Sequence, residues 1–213
     1  MVDIKLEHVA PGDIERRSFE IIEREAGPRL PQGIERSVVQ RVIHTTADFD
    51  YAENLVFSRE AVERGIAALR SGASIVTDTQ MAKAGVNKQS LARCGGEVFC
   101  FMSDPDIREA AGRAGTTRAS ACMDKAAGLC RPLIFAIGNA PTALVRLCEL
   151  IGEGKVRPEL VIGVPVGFVN VVQSKELLLS LPVPQIVARG RKGGSNVAAA
   201  ICNALLYQAR ERP

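Results

Sequence analysis

From about residue 74 onward, short runs of β-branched and other apolar residues alternate with helix-like stretches, and each run ends in Gly, Pro, Asn, Asp or Ser. No other feature restricts the fold of this chain as much. Strands separated by helices cannot close as hairpins, so they lie parallel and the helices serve as crossovers. The runs Ser74–Thr77, 97–102, Leu133–Ile137, 160–164 and Gln185–Ala188 are short and largely apolar, as strands buried on both faces require. The expected fold is α/β: three layers, α/β/α, around a mostly parallel sheet of about five strands. Its helices have readable ends. Asn87 caps a short helix closing at Gly95, Pro141 occupies the first turn before 142–151, and another helix covers 195–209.

The first 70 residues read as an amino-terminal helical segment without strands. Asp13 stands at the N-cap of a helix carrying Ile14, Ile21 and Ile22 and ended by Gly27-Pro28; a second helix aligns Ile34, Val38 and Val42; a third covers 58–70, stopped by Gly72. With 213 residues, 46% hydrophobic and 24% charged, and no repeat or linker, one domain over residues 1–213 is expected.

A net charge of +3, from 27 Lys+Arg against 24 Asp+Glu, is too small to make nucleic acid or an anionic membrane the default partner. No run of about 18 apolar residues is present, and Met1-Val2-Asp3-Ile4-Lys5-Leu6-Glu7 lacks the basic-then-apolar order of a signal peptide, so a cytoplasmic location is expected. The cysteines at 94, 100, 122, 130, 148 and 202 form no C-x-x-C pair, and most read as small buried hydrophobes rather than as disulfides or metal ligands.

In an open parallel sheet, ligands bind beyond the carboxyl ends of the strands. The loops there are Asp78-Thr79-Gln80, Ser103-Asp104, Gly138-Asn139-Ala140-Pro141-Thr142, Pro165-Val166-Gly167 and Arg189-Gly190-Arg191-Lys192-Gly193-Gly194-Ser195-Asn196. In the last, three cations and three glycines directly precede a helix, so side-chain charge, backbone N–H groups and the helix dipole converge on one anion. A solvated basic turn is the plainer alternative, and the order of residues is not that of a P-loop. Arginines beside hydroxyls recur in Arg16-Arg17-Ser18 and in 113–120, a setting suited to two-point carboxylate contacts. His44 ends an amphipathic helix next to Arg41, Thr45 and Thr46; alone it fits either a general acid or a helix-end histidine bonded to carbonyls. No nucleophile elbow, zinc motif or activated cysteine is present. These residues taken by themselves describe an α/β protein for a polyanionic small molecule.

Several segments in order resemble the precorrin-8X methylmutases of both the aerobic and the cobalt-dependent pathways. They are Arg17-Ser18-Phe19, Arg41-Val42-Ile43-His44, Gly115-Thr116-Thr117-Arg118, Ala136-Ile137-Gly138-Asn139-Ala140-Pro141-Thr142-Ala143-Leu144, Gly163-Val164-Pro165-Val166-Gly167-Phe168-Val169, Ser174-Lys175 and Arg189-Gly190-Arg191-Lys192-Gly193-Gly194-Ser195. The resemblance implies an isomerase that shifts a methyl group from C11 to C12 of a corrin precursor, with no cofactor and no resident metal. It implies a homodimer with pockets near the subunit interface, and a corrinoid substrate and product. His44 matches the family's catalytic histidine, and Ser18 and Arg41 match its substrate contacts. The loop reading adds Arg17, Arg118, Asn139, Arg189, Arg191, Gly193, Gly194 and Ser195 as substrate-binding residues. Two other readings stand beside this one: an enzyme for a phosphorylated metabolite held at 190–195, and a corrinoid carrier without catalysis.

Overall fold

The computed structural model describes residues 6–210; most of the stretch read above for a signal pattern, residues 1–5, lies outside them. A six-stranded sheet forms the middle layer. Its strands are β1 (Leu55–Phe57), β2 (Ser74–Thr77), β3 (Val98–Phe99), β4 (Leu133–Ile137), β5 (Leu160–Gly163) and β6 (Gln185–Ala188). They lie in the order β1-β6-β5-β4-β2-β3, with all neighbours parallel except β1 against β6. The direction of winding reverses between β2 and β4, which opens a crevice at their carboxyl ends.

Alternation along the strands divides the core. Ile134 and Ala136 of β4 face the helices Ile14–Ala26, Glu35–Thr46, Ala61–Arg70 and Ser195–Arg210; Leu133, Phe135 and Ile137 face Pro105–Ala114, Arg118–Ala127, Pro141–Gly152 and Val171–Leu179. Both sides of the sheet are covered, which is why the strand runs are apolar without interruption. Asn87 caps Lys88–Arg93 through its side chain, Pro141 is the first helical residue, and Ser195 opens the last helix, as the sequence indicated. Asp13 stands at its N-cap without a side-chain cap bond, its carboxylate being paired with Arg16 instead.

Three expectations need correction. The amino-terminal segment is not free of strands, because Leu55–Phe57 pairs antiparallel with β6. The helix expected from residue 58 begins at Ala61: Glu60 is left-handed (φ 58°), and Ser58 exchanges backbone and hydroxyl bonds with Gln185 at the sheet edge. The strand expected over 97–102 shrinks to Val98–Phe99, because β2 ends at Thr77 and leaves no ladder beyond Phe99, and the chain turns at Met102 into the helix Pro105–Ala114.

Candidate active site

The crevice between β2 and β4 is tied by one carboxylate. Asp78, directly after β2 and 1% exposed, accepts the backbone N–H groups of Gly138 (2.9 Å), Asn139 (2.8 Å) and Ala140 (2.6 Å). Burial pushes its carboxyl pKa up, and the three donors pull it back. Asn139 therefore contributes its N–H to the fold and leaves its side chain exposed at the rim. Thr79 caps the helix Gln80–Gly85 and its hydroxyl lies 2.7 Å from that of Ser195. A Cβ on Gly138 would come within 2.7 Å of the Gly194 carbonyl oxygen and 2.8 Å of Ser195 Cα, so the loops after β2, β4 and β6 meet in contact.

The loop 189–195 is built inward through its carbonyls. Lys175 Nζ, on Val171–Leu179, donates to the Gly190 and Lys192 carbonyls at 2.8 Å each, and Gly167 N–H donates to that of Arg191. Gly193, at φ 158°, has no space for a side chain: a Cβ would stand 2.1 Å from the Val164 carbonyl oxygen, while Gly194 N–H bonds that same oxygen. The expected convergence of three cations is reduced to two. Lys192 is occupied by Asp48 and Asp50, 2.6 Å from each, and its pKa is raised while that of Asp48 is lowered by the pair. Arg189 and Arg191 are exposed; among the described residues neither has a carboxylate partner, and the Arg191 guanidinium lies 5.6 Å from the Phe168 ring centroid. Phe168 is 83% exposed, so an aromatic ring and an arginine stand together in solvent beside the crevice.

His44 sits in the last turn of Glu35–Thr46, a helix closed by left-handed Ala47 (φ 52°), whose N–H bonds the Ile43 carbonyl. The imidazole is exposed, its ring 5.3 Å from that of Phe19, and among the described residues it makes no hydrogen bond to a carbonyl. One helical turn away, Arg41 lies over the rings of Phe19 (4.8 Å) and Tyr207 (5.1 Å) and pairs with Glu15, whose pKa it lowers. These rings border a cleft of about 390 Å³ that also includes Ser37 and Gln40. Ser18 donates to the Ile14 carbonyl, and Arg17 pairs with Glu7 and Glu20. Glu35–Thr46 runs antiparallel to Ser195–Arg210, with Ser37 bonded to Gln208 at one end and Lys192 held by Asp48 at the other. His44 is thus at the rim end of its helix.

Arg118, exposed at the start of Arg118–Ala127, stands on the other face of the sheet. Thr117 caps that helix and meets the Thr142 hydroxyl at 2.9 Å; beside them is a cavity of about 510 Å³ lined by Thr116, Ser120, Thr142, Arg146, Val169 and Asn170. The residues singled out in the sequence therefore form three groups, around His44, the 189–195 loop and Arg118, and only the rim connects them. Asp78, Lys175, Asp48 and Tyr207 are the additions that organise these groups. A strand ending in Asp-Thr ahead of a helix was the one visible signal for Asp78. Among the described residues no group of three or more His, Cys, Asp or Glu side chains is placed to hold a metal ion, and no helix is long and apolar enough to cross a membrane.

Known proteins match over most of the chain. The family model described as precorrin-8X methylmutase matches residues 13–208. A cobalt-precorrin-8 methylmutase of Priestia megaterium is 49% identical over 197 residues, covering 92% of this chain and 88% of that protein. A precorrin-8X methylmutase of Pseudomonas aeruginosa is 39% identical over 195 residues, covering 90% and 93%. Among solved structures, the precorrin-8X methylmutase of Thermus thermophilus superposes with a TM-score of 0.82 at 43% identity, covering 92% of this chain and 97% of that one.

Proposed function

The chain belongs to the precorrin-8X methylmutase family, and from that premise we propose that it is the isomerase of cobalamin biosynthesis that moves a methyl group from C11 to C12 of precorrin-8X or of its cobalt-loaded form. The reaction neither adds nor removes atoms. The C11–methyl bond breaks as the C12–methyl bond forms, and the ring π system rearranges between them. The protein has to bind a polycarboxylate macrocycle, fix its tautomer and polarise it.

The observation that carries this reading is the placement of His44, exposed at the rim end of its helix with Arg41 one turn away. A protonated His44 donates to a ring nitrogen, which draws electron density from the migration path, and recovers its proton when product leaves. The Arg41 guanidinium is near both the Phe19 and Tyr207 rings and pairs with Glu15, so a substrate carboxylate joins or displaces Glu15 on a guanidinium that is already held in place. Ser18 and Arg17 extend this edge. Arg189, Arg191 and the glycine-rich turn from Gly193 and Gly194 to Ser195 take carboxylates at the crevice, with Asn139 beside them and Arg118 across the sheet.

We read the whole chain as one domain acting in a cytoplasmic homodimer. What supports a second subunit is that His44, Phe168 and Val169 are exposed on a single chain, Val169 by 78%, whereas a corrin face needs to be enclosed. The decisive experiment is incubation of purified protein with precorrin-8X and with cobalt-precorrin-8, followed by visible absorbance. Catalytic appearance of the product corrin spectrum from either substrate is expected. Binding without conversion would make the protein a carrier; stabilisation by inorganic phosphate but not by corrinoid would indicate the phosphorylated-metabolite reading.

A further inference from the structure

Lys175 is a buried cation without a counter-ion. Its side chain is 0% exposed, and its only partners among the described residues are the neutral carbonyls of Gly190 and Lys192. Burial with no carboxylate beside it brings the ammonium pKa down to about 8. Such a group is costly, and a methionine would fill the same volume. What it does locally is specific. By holding the carbonyls on either side of Arg191, it turns the polar acceptors of the loop into the protein, where Gly167 N–H takes the third. The Arg191 side chain is left exposed on the outer side of the loop, while the Arg189 and Gly194 N–H groups are taken by the Asn54 and Val164 carbonyls. The contrast with Lys192, whose charge is cancelled by Asp48 and Asp50, shows that the two lysines of this region do different work.

We infer that Lys175 is a positioning residue for corrinoid binding, which sets the 189–195 loop as an anion-receiving surface and adds an uncancelled positive charge beneath it. The inference rests on the methylmutase reading and deepens it. Lys175 does not touch the reacting atoms; it acts through the loop. Its charge, in a poorly screened interior, favours carboxylates at the rim more than an exposed lysine would.

The test is Lys175→Met, compared with the parent for kcat, KM and the affinity of hydrogenobyrinate followed by its absorbance at low and high salt. Two hydrogen bonds from a charged donor are lost, so a rise of about ten- to a hundredfold in KM and in product Kd is expected, with a shallower salt dependence and kcat within about threefold of the parent. A merely structural lysine would lower the yield of folded protein and leave KM and the salt slope of the folded fraction unchanged, and that result overturns the inference. A fall in kcat with unchanged KM overturns it as well. Should Lys175→Met not fold, Lys175→Gln, one atom shorter and uncharged, carries the same comparison with the same expected signs. If the parent protein converts neither substrate, the methylmutase reading itself fails and the inference falls with it.

Discussion

Lys192 Nζ lies 2.6 Å from Asp48 Oδ2, which fastens the glycine-rich loop to the segment directly after the His44 helix. Residues 144 positions apart thereby tie His44, the proposed general acid, to the 189–195 loop. Asp50 lies 2.6 Å from the same ammonium, so both carboxylates have to be removed to release the loop from that side. Lys192→Ala and the combined Asp48→Asn, Asp50→Asn variant are expected to lower kcat by similar factors, and joining all three changes should be no worse than the more damaging of the two; additive losses would show that the cluster does not act as a unit.

The same contact has a pH signature. The pair lowers the Asp48 pKa, so the tie is present above the ordinary carboxylate range and lost as pH falls through the lowered value. Lys192 is raised, so its side of the tie is present below the ordinary lysine pKa and lost only as pH rises through the raised one. The ratio of parent to Lys192→Ala turnover should therefore stay constant between about pH 5.5 and 9. A ratio that changes within this window would locate the effect elsewhere.

His44→Ala separates binding from chemistry. The side chain is exposed and packs on Phe19 alone among the aromatic rings, so the variant should melt within a few degrees of the parent and bind product with similar affinity. Its turnover should fall by about a hundred- to ten-thousandfold, the range of a positioned general acid. His8, exposed in the irregular stretch before Pro11, is the control. Near-parent turnover in His44→Ala would leave conformational restraint as the whole of catalysis.

Asp78→Asn places an amide group against three N–H donors. At least one donor loses its acceptor in a buried site, which costs about 1–3 kcal/mol, or a lowering of Tm by roughly 2–12 °C in a chain of this size. An unchanged thermal midpoint would mean that the crevice is held together by other contacts.

Two glycines in one loop should respond differently. Gly190 is left-handed (φ 77°) with open space around its α carbon, so Gly190→Ala costs about 1–2 kcal/mol of backbone strain and no more. At Gly193 an added Cβ collides with the Val164 carbonyl, so Gly193→Ala must displace β5's continuation or the loop itself. Product affinity should drop sharply for the second variant and slightly for the first. Equal effects would show that the loop adjusts as a unit.

What the sequence disclosed follows from the range of the interactions. β4, with five consecutive buried residues, announces itself because burial on both faces removes every polar residue from the run. β1 has three residues, two of them only half-buried, and its register depends on β6, with partners 129 to 133 positions later in the chain. The rim was legible because glycines and arginines cluster ahead of a helix. Its assembly was not. Asp78 binds backbone amides and Lys175 binds backbone carbonyls, and a backbone group looks the same at every position. The fate of Lys192 was equally hidden, since Asp48 and Asp50 could as well have faced water.

The antiparallel strand β1 also bears on how the protein behaves at high concentration. A sheet edge with unpaired N–H and C=O groups is a template for adding further strands, and apolar parallel sheets are prone to it. Here Leu55–Phe57 covers β6, which is longer than the opposite outer strand, and Arg189 N–H is taken up by the Asn54 carbonyl just beyond the pairing. The opposite flank is β3, two residues long with a turn from Met102, too short to nucleate stacking of one molecule on another. Detachment of β1 would present the four-residue strand β6, three of whose residues are apolar, to solvent, and aggregation should track the opening of that one strand rather than unfolding of the whole protein.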